Sequence, residues 1–138
     1  MYYGEGVFLG YRYYEKLQND PLFYFGYGLS YTTFDYPDLR VPATVELHDV
    51  SAGSFEVEVD VRNTSHRDSY KIVQLYISDV DCAALRARKE LTGFAKVWVA
   101  EGETKTVKIK LDKYALSYWN EEAGKWRAEE GLFKVILS

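Results

Sequence analysis

Phe55-Glu56-Val57-Glu58-Val59-Asp60-Val61-Arg62 is the stretch whose reading decides the fold. Apolar residues at 55, 57, 59 and 61 alternate with charged ones. A side-chain period of two puts each set on its own face of an extended strand. One face then goes to a core and the other to water, as in an antiparallel sheet. Asn63-Thr64-Ser65-His66 follows as a turn. Downstream, Val73, Leu75 and Ile77 make the next alternating set. Leu91 to Val99 reads as a further strand, with Gly93 marking a bulge. Ala100-Glu101-Gly102-Glu103 is a tight turn. Val107, Ile109 and Leu111 alternate with lysines, and Phe133, Val135 and Leu137 make the last strand. Upstream, Val45 and Leu47 predict a first strand, with His48 on its polar side. The one helical hint is a single turn at Lys113 to Ser117. Six or seven short strands separated by turns predict an all-β chain, an antiparallel β-sandwich of the immunoglobulin type.

The chain has 138 residues, one domain's worth, and a formal net charge of −4. A chain of this length buries enough surface to fold without a disulfide or a metal. Its basic residues are interleaved with acids, so no footprint for nucleic acid or an anionic membrane is expected. The apolar runs are too short for a transmembrane helix. The opening residues lack the basic region and small-residue cleavage site of a signal peptide. A single cysteine, Cys82, excludes an internal disulfide, including the one immunoglobulin domains carry.

The first 36 residues differ in kind. They hold nine of the 13 tyrosines and four of the seven phenylalanines, punctuated by glycines at 4, 6, 10, 26 and 28. No sustained period runs through them. Val7-Phe8-Leu9 and Tyr11-Arg12-Tyr13-Tyr14 each fit a short strand or one helical turn, and Asp20-Pro21 marks a turn. The segment has too few aliphatic residues to build its own core. Its rings are expected to bury against the following domain, or against a partner outside this chain.

The residues offer little catalytic chemistry. His48 and His66 lie in no frame that would make them triad bases or zinc ligands. Asp79 and Asp81 flank Val80 without the calcium-loop pattern. The two aspartates before Cys82 are expected to raise its thiol pKa, which argues against a reactive thiol. Gly4-Glu5-Gly6 and Gly26-Tyr27-Gly28 fall short of a phosphate-binding loop. Asn63-Thr64-Ser65 fits the glycosylation pattern. No cofactor or metal is expected. Trp119 and Trp126 bracket Asn120 to Lys125 like the two arms of a hairpin. Cross-strand ring pairing is one reading; a platform for pyranose sugars is the other. Trp98 and Tyr76 raise the same question, because each sits out of phase with the aliphatic face of its strand; the other reading is that they face the aromatic N-terminal segment.

Several ordered stretches resemble the C-terminal part of glycoside hydrolase family 3 enzymes, the β-glucosidases and β-xylosidases. Tyr3-x-Glu5-Gly6-x-x-x-Gly10-Tyr11-Arg12-Tyr13-Tyr14 is similar to the end of the family's second domain. Pro21-Leu22-Phe23-x-Phe25-Gly26-Tyr27-Gly28-Leu29-Ser30-Tyr31 is similar to its linker. Val73-Gln74-Leu75-Tyr76-Ile77-Ser78-Asp79, Lys89-Glu90-Leu91-x-Gly93-Phe94, Gly102-Glu103-x-Lys105-Thr106-Val107 and Trp126-x-x-Glu129-x-Gly131-x-Phe133 follow in order. The chain departs from the family at Ser69 and Ala87, where a small residue or glycine and a proline are usual. The resemblance implies a fibronectin type III-like sandwich over residues 41–138, preceded over residues 1–40 by the tail of an α/β domain and a linker. It implies that the catalytic aspartate and glutamate lie in upstream domains, and that this stretch is a non-catalytic module. Those domains are the expected partner, with Tyr11, Arg12, Tyr13, Phe23, Phe25 and Tyr27 at the seam. Glu5 is expected to make a structural hydrogen bond or to pair with Arg12. The alternative is a carbohydrate-binding module that holds a β-linked oligosaccharide on Trp98, Trp119, Trp126 and Tyr76.

Overall fold

A computed structural model describes residues 4–46, 54–82 and 84–138. Its elements are helix α1 (Tyr11–Leu17) and strands β1 (Phe34–Arg40), β2 (Ser54–Asn63), β3 (Ser69–Asp79), β4 (Glu90–Val99), β5 (Thr104–Asp112), β6 (Ser117–Asn120), β7 (Lys125–Ala128) and β8 (Phe133–Leu137). A 3₁₀ turn at Lys113–Leu116 stands where the single helical turn is expected. The strands form two three-stranded antiparallel sheets, β1-β2-β5 and β4-β3-β8, and a separate β6-β7 hairpin.

The alternating residues face one another across the two sheets. Val57, Val59 and Val61 of β2, Val73, Leu75 and Ile77 of β3, Val99 of β4 and Val107, Ile109 and Leu111 of β5 form one buried cluster. Burying each such side chain stabilises the fold by about 1.5–3 kcal/mol, as an upper estimate. Opposite Leu75 and Tyr76 the β4 register slips by one residue, so Gly93 does mark a bulge. A β-carbon at Gly93 would stand 2.7 Å from Ile109 Cγ2 and 2.9 Å from Leu111 Cδ2. Only glycine lets β5 pack that closely.

Asn63 ties the sheets together where the chain crosses from β2 to β3. It is fully buried. Its Nδ2 donates to the carbonyls of Arg67 (2.7 Å) and Val99 (3.1 Å), and its Oδ1 accepts from the backbone N–H and hydroxyl of Ser65. The β4–β5 turn closes with the Glu103 N–H on the Ala100 carbonyl at 3.0 Å and Gly102 at φ 68°.

The expected first strand needs correction. Val45 lies in no strand, and Leu47 and His48 lie outside the described residues. The outer strand is instead β1, further upstream, paired with β2. Its register shifts between Asp35 and Asp38, beside Pro37, a bulge on an edge strand where proline costs no ladder bond. Asp38 and Asp60 end up directly opposite, a repulsive pair that Arg40 bridges while also reaching Glu58. Of the two readings of the stretch from Tyr11, a strand or a helical turn, the structure has the helix, two turns long.

Candidate docking surface and aromatic clusters

The outward faces of β3 and β4 carry the residues of opposite parity to the core set. Tyr76 is one of these, and it is covered. It is 3% exposed, its ring lies edge-on to Tyr11 at 5.8 Å, and its hydroxyl donates to Gln74 at 2.6 Å. Burial, with Tyr11 and Glu15 nearby, raises its pKa above the ordinary tyrosine value. The cover is the N-terminal segment. Tyr11 stacks tilted on Phe25 at 5.6 Å, and its hydroxyl accepts the Leu91 N–H at 2.8 Å. Glu15 pairs with Lys89 at 2.7 Å, and Arg12 lies 3.5 Å from Glu90. The expected Glu5–Arg12 pairing is not formed, because Glu90 takes the guanidinium. Gly26, at φ 82°, lies so close over Gln74 that a β-carbon would collide with its side chain.

Only part of the segment is seated. Helix α1 buries none of its residues, and Tyr13 and Tyr14 stand out into solvent. Phe23 and Tyr27 pack on each other at 5.1 Å, and both are more than half exposed, as are Tyr24 and Phe25. A cavity of about 630 Å³ opens between α1, Asp20 to Phe25, and Arg88, Lys89 and Ile136. An isolated helix this short is not stable in water. Its visible support is the contacts that Tyr11, Arg12 and Glu15 make with the sandwich.

The hairpin expected around Trp119 and Trp126 is present, and the two residues are direct cross-strand partners. Their rings stand edge to face, 5.9 Å apart at 77°, and Trp126 meets Tyr114 in the same way at 5.1 Å. Tyr114 completes the cluster because the 3₁₀ turn swings it over; the sequence pattern gives no sign of it. Trp98 does not face the N-terminal segment. It pairs across β3 and β4 with Tyr70, at 4.8 Å. The four residues named for the sugar-binding alternative therefore fall in three places.

The loop between β3 and β4 is held by ions, not by a cation site. The Arg86 guanidinium is largely buried and meets Asp79 at 3.3 Å and Glu90. Burial works against its charge, but the Glu90 and Asp79 carboxylates raise its pKa beyond the ordinary value. Burial, then Asp79, raises the Cys82 thiol, the direction expected. Among the described residues, no cluster of three or more His, Cys, Asp or Glu side chains is placed to hold a metal. The Asn63 carboxamide is internal and committed to four hydrogen bonds, so the folded chain does not present it for glycosylation.

Two facing antiparallel sheets with one core between them make a β-sandwich of the immunoglobulin-like class. Residues 71–138 match the fibronectin type III-like domain family. Over 136 residues the chain is 45% identical to thermostable β-glucosidase B of Acetivibrio thermocellus, covering 98% of this chain and 18% of that protein. It superimposes with a TM-score of 0.83 and 45% identity on a β-glucosidase from Kluyveromyces marxianus solved with glucose, and covers 16% of it. With the family 3 β-glucosidase of Bifidobacterium adolescentis the TM-score is 0.87 and the identity 38%, over 98% of this chain and 19% of that one. The chain belongs with the C-terminal, fibronectin type III-like part of glycoside hydrolase family 3 β-glucosidases. It spans under a fifth of the length of the curated relatives it matches.

Proposed function

We propose that this chain is a non-catalytic buttress of a β-glucoside-hydrolysing parent, and that its N-terminal segment is a piece of the preceding catalytic domain left seated on the sandwich. The carrying observation is α1, a two-turn helix with no buried residue and an aromatic face. A second body packed on Tyr13, Tyr14, Phe23 and Tyr27, and filling the cavity behind α1, would supply the missing burial. In this reading residues up to Thr33 are domain tail and linker, and the sandwich starts with β1, because Phe34 already pairs with Asn63.

The test has two parts. The isolated chain should release no nitrophenol from a chromogenic β-glucoside. It should also self-associate with rising concentration, since exposed apolar patches of this size rarely stay unpartnered. Phe23→Ser with Tyr27→Ser should weaken that association. Hydrolysis that copurifies with the chain, or a strictly monomeric chain that binds no hydrophobic dye, would refute the reading.

One observation favours a sugar-binding role instead, the half-exposure of Trp119 and Trp126. Their edge-to-face geometry offers single ring faces and no shared plane. A saturable fluorescence change with β-glucan or xylan oligosaccharides, lost in Trp119→Ala, would establish that role.

A further inference from the structure

Helix α1 and the Phe25–Gly26 turn cover only one half of the outer β4-β3-β8 face, the half holding Tyr76. The cover stops at Gln74, directly beneath Gly26. Gln74 is paired with Phe94, Ile72 with Lys96, and Tyr70 with Trp98. With Gln74 at the border, the other five make the uncovered half, and four of them are large apolar residues. Phe94 is 70% exposed, Tyr70 56%, Ile72 50% and Trp98 43%. Lys96 does not break the strip; its Nζ lies over the Tyr70 ring, 4.4 Å from the centroid. The outer face of the opposite sheet carries Arg40, Glu56, Glu58, Asp60, Thr106 and Lys108, an ion-paired surface made for water. The two sheets thus treat their outer faces differently, and only one is apolar.

Resting on the proposed function, we infer that the strip Tyr70, Ile72, Phe94 and Trp98 is the second half of the docking surface, and that its occupant is the same preceding domain that packs on α1. Three observations select this occupant. The strip is continuous, through Gln74, with the seat of the N-terminal segment. The relatives carry more than four-fifths of their length outside the matched region, so a body large enough to span both patches is at hand. The contact already made there, Tyr11 on Tyr76, is aromatic, the same chemistry the strip offers. The role also explains why Trp98, out of phase with the core, is large and apolar.

The experiment compares Ile72→Lys, Phe94→Glu and the double variant in two forms, the isolated 138-residue chain and the full-length polypeptide that carries it. Phe23→Ser with Tyr27→Ser is made in both. Because Ile72 and Phe94 lie outside the core, their replacement should leave the melting of the isolated chain unchanged. In the full-length protein each single variant should speed thermal loss of β-glucoside hydrolysis about tenfold, and the double variant further, with KM unchanged, as expected for one apolar anchor lost from an interface per substitution. Unchanged inactivation with the strip variants, while the Phe23 and Tyr27 variant accelerates it, overturns this inference and leaves the proposed function standing. No effect from either set overturns both. Equal destabilisation of the isolated chain assigns the strip to the sandwich itself and overturns the inference. So does a full-length protein whose sedimentation changes from dimer to monomer in the strip variants, which would make a second copy the occupant.

Discussion

Replacing Asn63 by aspartate keeps its shape and inverts its chemistry. Asn63 Nδ2 donates to two carbonyls, at 2.7 and 3.1 Å, from a site with no solvent exposure. In Asn63→Asp an oxygen faces both carbonyls. Two hydrogen bonds are lost, at about 1 kcal/mol each. A buried carboxylate adds a desolvation cost of at least another 1–2 kcal/mol. The variant should therefore lose about 3–4 kcal/mol at pH 7, a large share of the 5–15 kcal/mol typical of a domain. Asn63→Ala removes the acceptor as well as the donor, so all four hydrogen bonds go, and it should lose about 4 kcal/mol. The cost of Asn63→Asp depends on pH. Burial and the facing carbonyls raise the carboxyl pKa in the folded state above the unfolded value of about 3.9. A raised folded pKa means that folding takes up a proton. The variant is then least impaired below about pH 4 and loses stability as pH rises through its folded pKa. Urea unfolding followed by tryptophan fluorescence, at pH 4 and pH 7, reads this directly. Asn63→Asp within about 0.5 kcal/mol of the parent at pH 7 would refute the internal-clamp role.

Gly93→Ala should cost about 1–3 kcal/mol, since the new methyl meets Ile109 and Leu111 inside contact distance; calorimetry checks it. The Tyr36 hydroxyl is buried with no partner among the described residues, and burial pushes its pKa up to about 12. The folded chain thus holds the phenol proton more tightly than the unfolded one, so stability falls as pH rises from about 10 to about 12. Tyr36→Phe should remove that alkaline loss and leave neutral-pH stability unchanged or about 1 kcal/mol higher, measured by urea unfolding across the alkaline range. Tyr11→Phe strips the Leu91 N–H of its acceptor. Protease should then cut within residues 4–33 several-fold faster while the sandwich melts at the same temperature, and protection unchanged from the parent would show that the segment is held by something else.

The strands that follow a strict period of two were legible. Phe55 to Val61, Val73 to Ile77 and Val107 to Ile109 are where their alternation puts them, because one buried face fixes the register of every residue on it. The Gly93 bulge and the tryptophan hairpin were legible for the same local reasons. β1 was not. Its inward residues are Phe34 and Tyr36, then Leu39, and the bulge beside Pro37 shifts the parity midway, so no single period runs through it. Helix α1 was not decided locally either. Tyr, Arg, Tyr, Tyr is a mediocre helix former, and Tyr11, Arg12 and Glu15 hold it only by reaching the sandwich.

Parity assigned Tyr76 and Trp98 to the face opposite the core, and the sequence determined that much by itself, because side chains alternate across any strand. It also determined that Asn63 would stand at the end of a strand. Only the tertiary structure decided that Tyr76 is covered by Tyr11 from 65 residues away while Phe94 is bare, and that the Asn63 amide spans two elements. Alternation is a property of one strand, but cover and hydrogen-bond partners come from segments distant in the chain, and no local pattern records which of them will arrive.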